Sequence, residues 1–148
     1  MRLFVAAFVF AAFVLAAVVP VAAHHPFTPY YDASTLVSMT GVVVEFRVVN
    51  PHVVLIVDGT APGGRSGRWA FEGFPPNVFR RQGPTDFREK LSTGTRITIS
   101  GWAAKDPAAR AFSGREVTFA DGSTMSFGPT PGDRWKCAEP CPYKYPEP

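Results

Sequence analysis

Residues 36–59 read LVSMTGVVVEFRVVNPHVVLIVDG. Two runs rich in β-branched residues flank Asn50-Pro51, a pair that marks a turn. The first run is a long strand, and Gly41 is the point at which it bends. The second, HVVLIVDG over 52–59, is a strand running to the turn pair Asp58-Gly59. These two strands set the frame into which the rest of the chain is read.

Downstream, TAPGGRSG (60–67) reads as a flexible loop and RWAFEGF (68–74) as a third strand by alternation. The character then changes. PPNVFRRQG (75–83) has the look of one or two helical turns, with Asn77 as N-cap and Gly83 as stop. A second short turn covers TDFREKL (85–91). Strand four is TRITISGWAA (95–104), where Ile97 and Ile99 alternate with Thr and Ser and Gly101 is a second bend. After KDPAAR, the run AFSGREVTFADGSTMSF (111–127) carries the hairpin pair Asp121-Gly122. The fold class expected is all-β: a small OB-like five-stranded barrel with a short helix between strands 3 and 4. An open meander or sandwich of the same strands is the alternative.

Upstream lies HHPFTPYYDAS (24–34), a polar and aromatic leader in which the placement of Pro26 and Pro29 excludes a helix. Residues 1–23, MRLFVAAFVFAAFVLAAVVPVAA, read as a signal peptide cut between Ala23 and His24. If uncut, the same run is an anchor, and it is then the chain's one contact with a membrane. Either way the remainder is exported, to the periplasm or beyond. The expected organisation is a signal peptide over 1–23, an OB-like domain over 24–127 and a Pro-rich tail over 128–148. That tail holds Cys137 and Cys141, which suit a disulfide in an oxidising compartment. Pairing with other chains, or Cu(I) binding by the reduced thiols, stays open.

The 148 residues are 46% hydrophobic, enough for a core, and 18% charged, with a formal net charge of +3. Lys and Arg are scattered, so no basic stripe points to a nucleic-acid partner.

HHPFTPYYD, then VVNPHVVLIVD, then WAFEG with PPNVFRR, then STGTRITISGWAAKD together resemble a family of small exported bacterial proteins of unknown function. The resemblance covers about residues 24–125. Its most specific parts are the double His with Phe27 and the triplet Asn50-Pro51-His52. Pro26 stands where the family has Ser, and Thr95 where it has Asp. The Cys-bearing tail lies outside the pattern. The family has no established activity, so the resemblance implies fold and export and no reaction.

The chain has three histidines, His24, His25 and His52. Imidazole is the commonest nitrogen ligand for transition metals. A cut after Ala23 also gives His24 a free α-amine, so amine and ring of one residue can chelate. His52 then completes a three-nitrogen histidine brace, with His25 as an alternative or additional ligand. A cut one residue earlier makes Ala-His-His, itself a Cu(II)-binding terminus. Three nitrogens in tetragonal geometry favour copper, with zinc as the alternative. Tyr31, Asp32 and Asn50 are near enough in sequence to surround and orient such ligands. No nucleophile elbow, phosphate loop or metalloprotease motif is present. The sequence therefore suggests metal binding rather than turnover. A ligand- or protein-binding module with structural histidines is the second reading, and a metal-dependent enzyme the third.

Overall fold

The structure, a computed structural model, describes residues 27–106 and 108–130. Its elements in chain order are α1 (Phe27–Tyr30), β1 (Tyr31–Val48), β2 (Val53–Thr60), β3 (Ser66–Glu72), α2 (Pro76–Gln82), α3 (Phe87–Lys90), β4 (Arg96–Ala104), β5 (Ala111–Phe119) and β6 (Thr124–Ser126). The strands lie in one sheet in the order β3-β2-β1-β4-β5-β6, and a parallel pairing of β3 with β5 closes it into a ring. The all-β, OB-like plan is thus as expected, with helical turns between β3 and β4. Closure rests on the three residue pairs Ala70–Ala111, Phe71–Phe112 and Glu72–Ser113, so the ring is not a regular barrel. A short sixth strand extends the expected five.

β1 spans 18 residues because it serves two neighbours. Its first part pairs with β4 and its second with β2, and the two pairings overlap at Gly41 and Val42. Gly41 faces Gly59, and a Cβ on Gly41 would stand 2.5 Å from the Asp58 carbonyl oxygen. The absence of side chains lets the backbones approach where the sheet turns. A bulge between Val43 and Glu45 adds to the bend. Gly101 has the same role in β4, at a register shift against β5, where a Cβ would run into the Ser113 carbonyl.

Four local expectations need correction. The leader contains one helical turn despite Pro29, because Pro29 sits in the first turn, where its missing N–H has no helical partner to lose. The first strand begins at Tyr31, ahead of the β-branched run. The loop after β2 is short: Thr60 pairs with Ser66, leaving five residues, 61–65, in the turn. Gly63 and Gly64 supply the positive φ angles it needs, 89° and 82°. Asn77 is not the cap of α2. Pro75 holds that place and Pro76 follows it at the first helical position, which suits proline's fixed φ. Gly83 does end α2, donating its N–H to the Phe79 carbonyl.

The core forms where inward residues of the ring meet the two short helices. Phe79 of α2 is fully buried, and its ring lies 5.5 Å from Phe46, 5.2 Å from Phe87 and 5.6 Å from Phe127. Leu55, Phe71, Ile97, Ile99 and Val117 fill the interior beside them. Gly101→Ala is expected to lower stability by about 1–3 kcal/mol, the usual cost of overpacking. Urea denaturation measures it, and a neutral result would show that β4 and β5 are not in close contact there.

Candidate functional site

The β1–β2 connection puts His52 at one end of β2, just after the cis Asn50-Pro51 peptide. The Val53 N–H donates to the Phe74 carbonyl and the Gly73 N–H to the Val53 carbonyl, each at 2.9 Å. These two bonds hold the start of β2 against the end of β3. His52 therefore meets Glu72, the last residue of β3. Glu72 Oε1 accepts a hydrogen bond from His52 Nδ1. Its other oxygen, Oε2, accepts the Tyr31 hydroxyl at 2.7 Å. One carboxyl group thus joins the first residue of β1 to the turn that follows the same strand. The three side chains are largely shielded from solvent, with Tyr31 8% exposed and the His52 and Glu72 side chains 14% and 24%.

The sheet explains why Glu72 is shielded on an outward position. Ring closure pairs Glu72 with Ser113, Ser113 pairs with Trp102, and Trp102 pairs with Leu36. Directly paired residues share a face. Glu72, Ser113 and Trp102 therefore form a row across the face opposite the core residues Phe71 and Phe112. The leader covers it. Phe27 stands edge-on to Trp102 at 5.6 Å and against Tyr31 at 5.3 Å, and the Lys105 N–H donates to the Tyr30 carbonyl at 2.9 Å. Trp102 is 4% exposed as a result.

The Tyr31 phenol is pushed above the ordinary tyrosine range, first by burial, then by its hydrogen bond to Glu72, then by the Glu72 charge. Glu72 in turn fixes the imidazole. When the carboxylate accepts from Nδ1–H, the lone pair of the His52 ring lies on Nε2. That is how a carboxylate presents an imidazole to a metal ion.

Of the residues singled out in the sequence, His52 and Tyr31 are brought together, through Glu72. Asp32 is placed elsewhere. Its carboxylate accepts from the backbone N–H and hydroxyl of Ser34, at 3.0 and 2.6 Å, in a local turn. Those bonds, the hydroxyl's first, hold its pKa below the usual range. Asn50 is exposed in the turn. His24, His25, Cys137 and Cys141 lie outside the described residues, as do the expected signal peptide and most of the tail. Among the described residues no group of three or more His, Cys, Asp or Glu is arranged to hold a metal ion. Glu72 was not singled out in the sequence. Its only signal there is that it is a carboxylate at the end of a strand otherwise apolar in FEGF.

The sequence of a known family spans all of this. The chain belongs to DUF6152, a family of unknown function. The family model matches residues 11–113, which include His24, His25, Tyr31, His52, Glu72 and Trp102 and exclude both cysteines. No curated protein and no solved structure matches the chain.

Because the folded state favours the protonated Tyr31 phenol, that stabilisation is fully present below the unfolded tyrosine pKa of about 10. It is lost as pH rises through the higher folded value. Wild-type stability should therefore fall more steeply above about pH 10 than that of Tyr31→Phe. Denaturant midpoints measured across pH 8 to 11 test this. Parallel curves would show that the phenol is not held by Glu72.

Proposed function

We propose that this chain is an exported Cu(II)-binding module whose ligands are the amine and ring of His24, with His25 as a further donor, and Nε2 of His52. The observation that carries the reading is the Tyr31–Glu72–His52 chain of hydrogen bonds. A histidine needed only for packing has no use for a carboxylate that is itself oriented by a buried phenol. A ligating histidine does, because the carboxylate fixes the tautomer and raises the basicity of the other nitrogen. The leader supports the same reading. Phe27 is anchored on Trp102 and Tyr31, and Tyr31 is tied to Glu72. His24 is three residues before Phe27, and three residues span at most about 10 Å. The reading has a mature terminus at His24 reaching His52 from that anchor. Zn(II) competes for the same nitrogens and is the second metal to test.

The second reading is a ligand- or protein-binding module in which the same chain of bonds only clamps the leader to the ring. Copper titration of the exported protein separates the two, once intact mass has fixed its first residue. One Cu(II) per chain is expected, with a nitrogen-rich electron paramagnetic resonance spectrum. His52→Ala, or one residue added before His24, should abolish this site. Glu72→Gln should weaken it about 10- to 100-fold, the usual cost of losing a ligand's outer partner. Binding indifferent to both the added residue and His52→Ala would overturn the copper reading.

A further inference from the structure

We propose that the open edge of β1 at Leu36–Met39 is a docking surface for a second copy of this chain, whose own β1 adds to it antiparallel and joins the two sheets. β1 is paired on both sides only around Gly41 and Val42. Its pairing with β2 begins at Gly41, so from Leu36 to Met39 the ladder runs to β4 alone. Among the described residues no backbone hydrogen bond reaches the other side of that stretch. The other open edges are blunted in the ways natural sheets use. β6 has three residues. The far half of β1 carries the exposed ion pair of Glu45 and Arg47. At the start of β3 the Ser66 carbonyl accepts from Arg110 Nη1. The Leu36–Met39 edge has no such device. Residues 33–44, ASTLVSMTGVVV, hold no charge and no proline. The register shift between Tyr31 and Leu36 bounds the edge on one side and leaves these four residues regular.

In an antiparallel strand the N–H and C=O of one residue face one neighbour, and those of the next residue face the other. The Val43 N–H donates to the Thr95 carbonyl, and the Val43 carbonyl accepts from the Gly94 N–H, both just ahead of β4. From Val42 back to Leu36 the register against β4 is unbroken. Counting back in twos, Gly41, Met39 and Val37 bond toward β4. Leu36 and Ser38 therefore present their backbone groups to the open side. A two-fold axis at Val37 sets Leu36 of one copy opposite Ser38 of the other. Each such pair exchanges two bonds, so every open group on both copies finds a partner. A contact of this isologous kind needs nothing but the strand itself. The edge has no charge with which to select a charged segment, whereas a second copy matches it group for group. The side chains agree. Leu36 is 42% exposed and lies on the face that Trp102 shares, opposite the buried Met39. In this register the two Leu36 side chains are diagonal neighbours across the axis, within reach of each other. The edge is short, so the association is weak and rises with concentration. This surface is separate from the histidines and does not depend on the copper reading.

The test is sedimentation equilibrium of the full exported chain from micromolar to millimolar concentration, with amide hydrogen exchange at both ends of that range. A chelator and a reductant are present throughout, so that neither a shared ion nor a disulfide can link two copies. A monomer–dimer equilibrium is expected, with the Leu36 and Ser38 amides exchanging more slowly at the high end. Ser38→Pro removes an N–H from the open side and leaves the bonds to β4 in place. It should weaken association by about tenfold, since the two-fold repeats the loss in both copies. Should Ser38→Pro fail to fold, Leu36→Lys puts a charge on the edge and should also hold the chain monomeric. A monomer at every concentration, exchange at Leu36 and Ser38 that ignores concentration, or wild-type association in a folded variant would overturn the proposal.

Discussion

The parallel contact between β3 and β5 is the constraint on which most of this molecule depends. It involves three residue pairs, yet it turns an open sheet into a ring. The same three pairs sort the side chains of both strands. Phe71 and Phe112 stack in the interior at 4.9 Å, whereas Glu72 and Ser113 face outward. Without closure, Glu72 would stand on an open edge in water. With closure it belongs to a row that continues through Trp102 of β4 and that the leader covers. The candidate site and the core are thus opposite faces of one junction.

Glu72 is costly to place there. A partly buried carboxyl group must be matched by donors, and here two side chains supply them from opposite ends of β1. Tyr31 opens the strand and His52 follows its far end, yet one carboxyl group reaches both. This is possible because β1 is long and bends at Gly41, so that its two ends come round to the same strand of the ring. The bend, the closure and the hydrogen-bond chain are three consequences of a single path. Loss of any one would separate the other two.

The β-rich plan was legible because alternation and turn pairs are local. Ile97 and Ile99, Asp121-Gly122 and the Asn50-Pro51 turn each announce themselves within a few residues. His52 stood out because histidine is scarce in the chain. Glu72 was not legible for the opposite reason. Its importance is a matter of register: the 61–65 turn pairs Thr60 with Ser66, which in turn puts Val54 opposite Glu72 and His52 within reach of it. A segment read only as a flexible loop conceals that register. Asp32 shows the reverse error. It is close to Tyr31 in sequence, but a short acidic side chain followed two residues later by Ser34 satisfies itself locally. Asn77 failed as a cap because two prolines before it already had the fixed φ that begins a helix.

The leader is held in an unusual way for the start of a β-domain, and this bears on the chemistry. An N-terminal segment fixed by strand pairing would have its backbone groups satisfied along its whole length, and its first residues would be placed by the ladder. Here the ladder reaches back only to Tyr31, which pairs with Ala104. Ahead of it the leader is held by the Lys105 N–H bond to the Tyr30 carbonyl and by the Phe27 ring, set against Trp102 and Tyr31. The copper reading proposed above needs the residues before that anchor to reach His52. The value of the double histidine therefore depends on where the chain begins. Cut after Ala23, His24 gains the amine that the proposed chelate needs. Left joined to the apolar run, the same residue has a ring and no amine, and the Tyr31–Glu72–His52 chain has no chelate to complete.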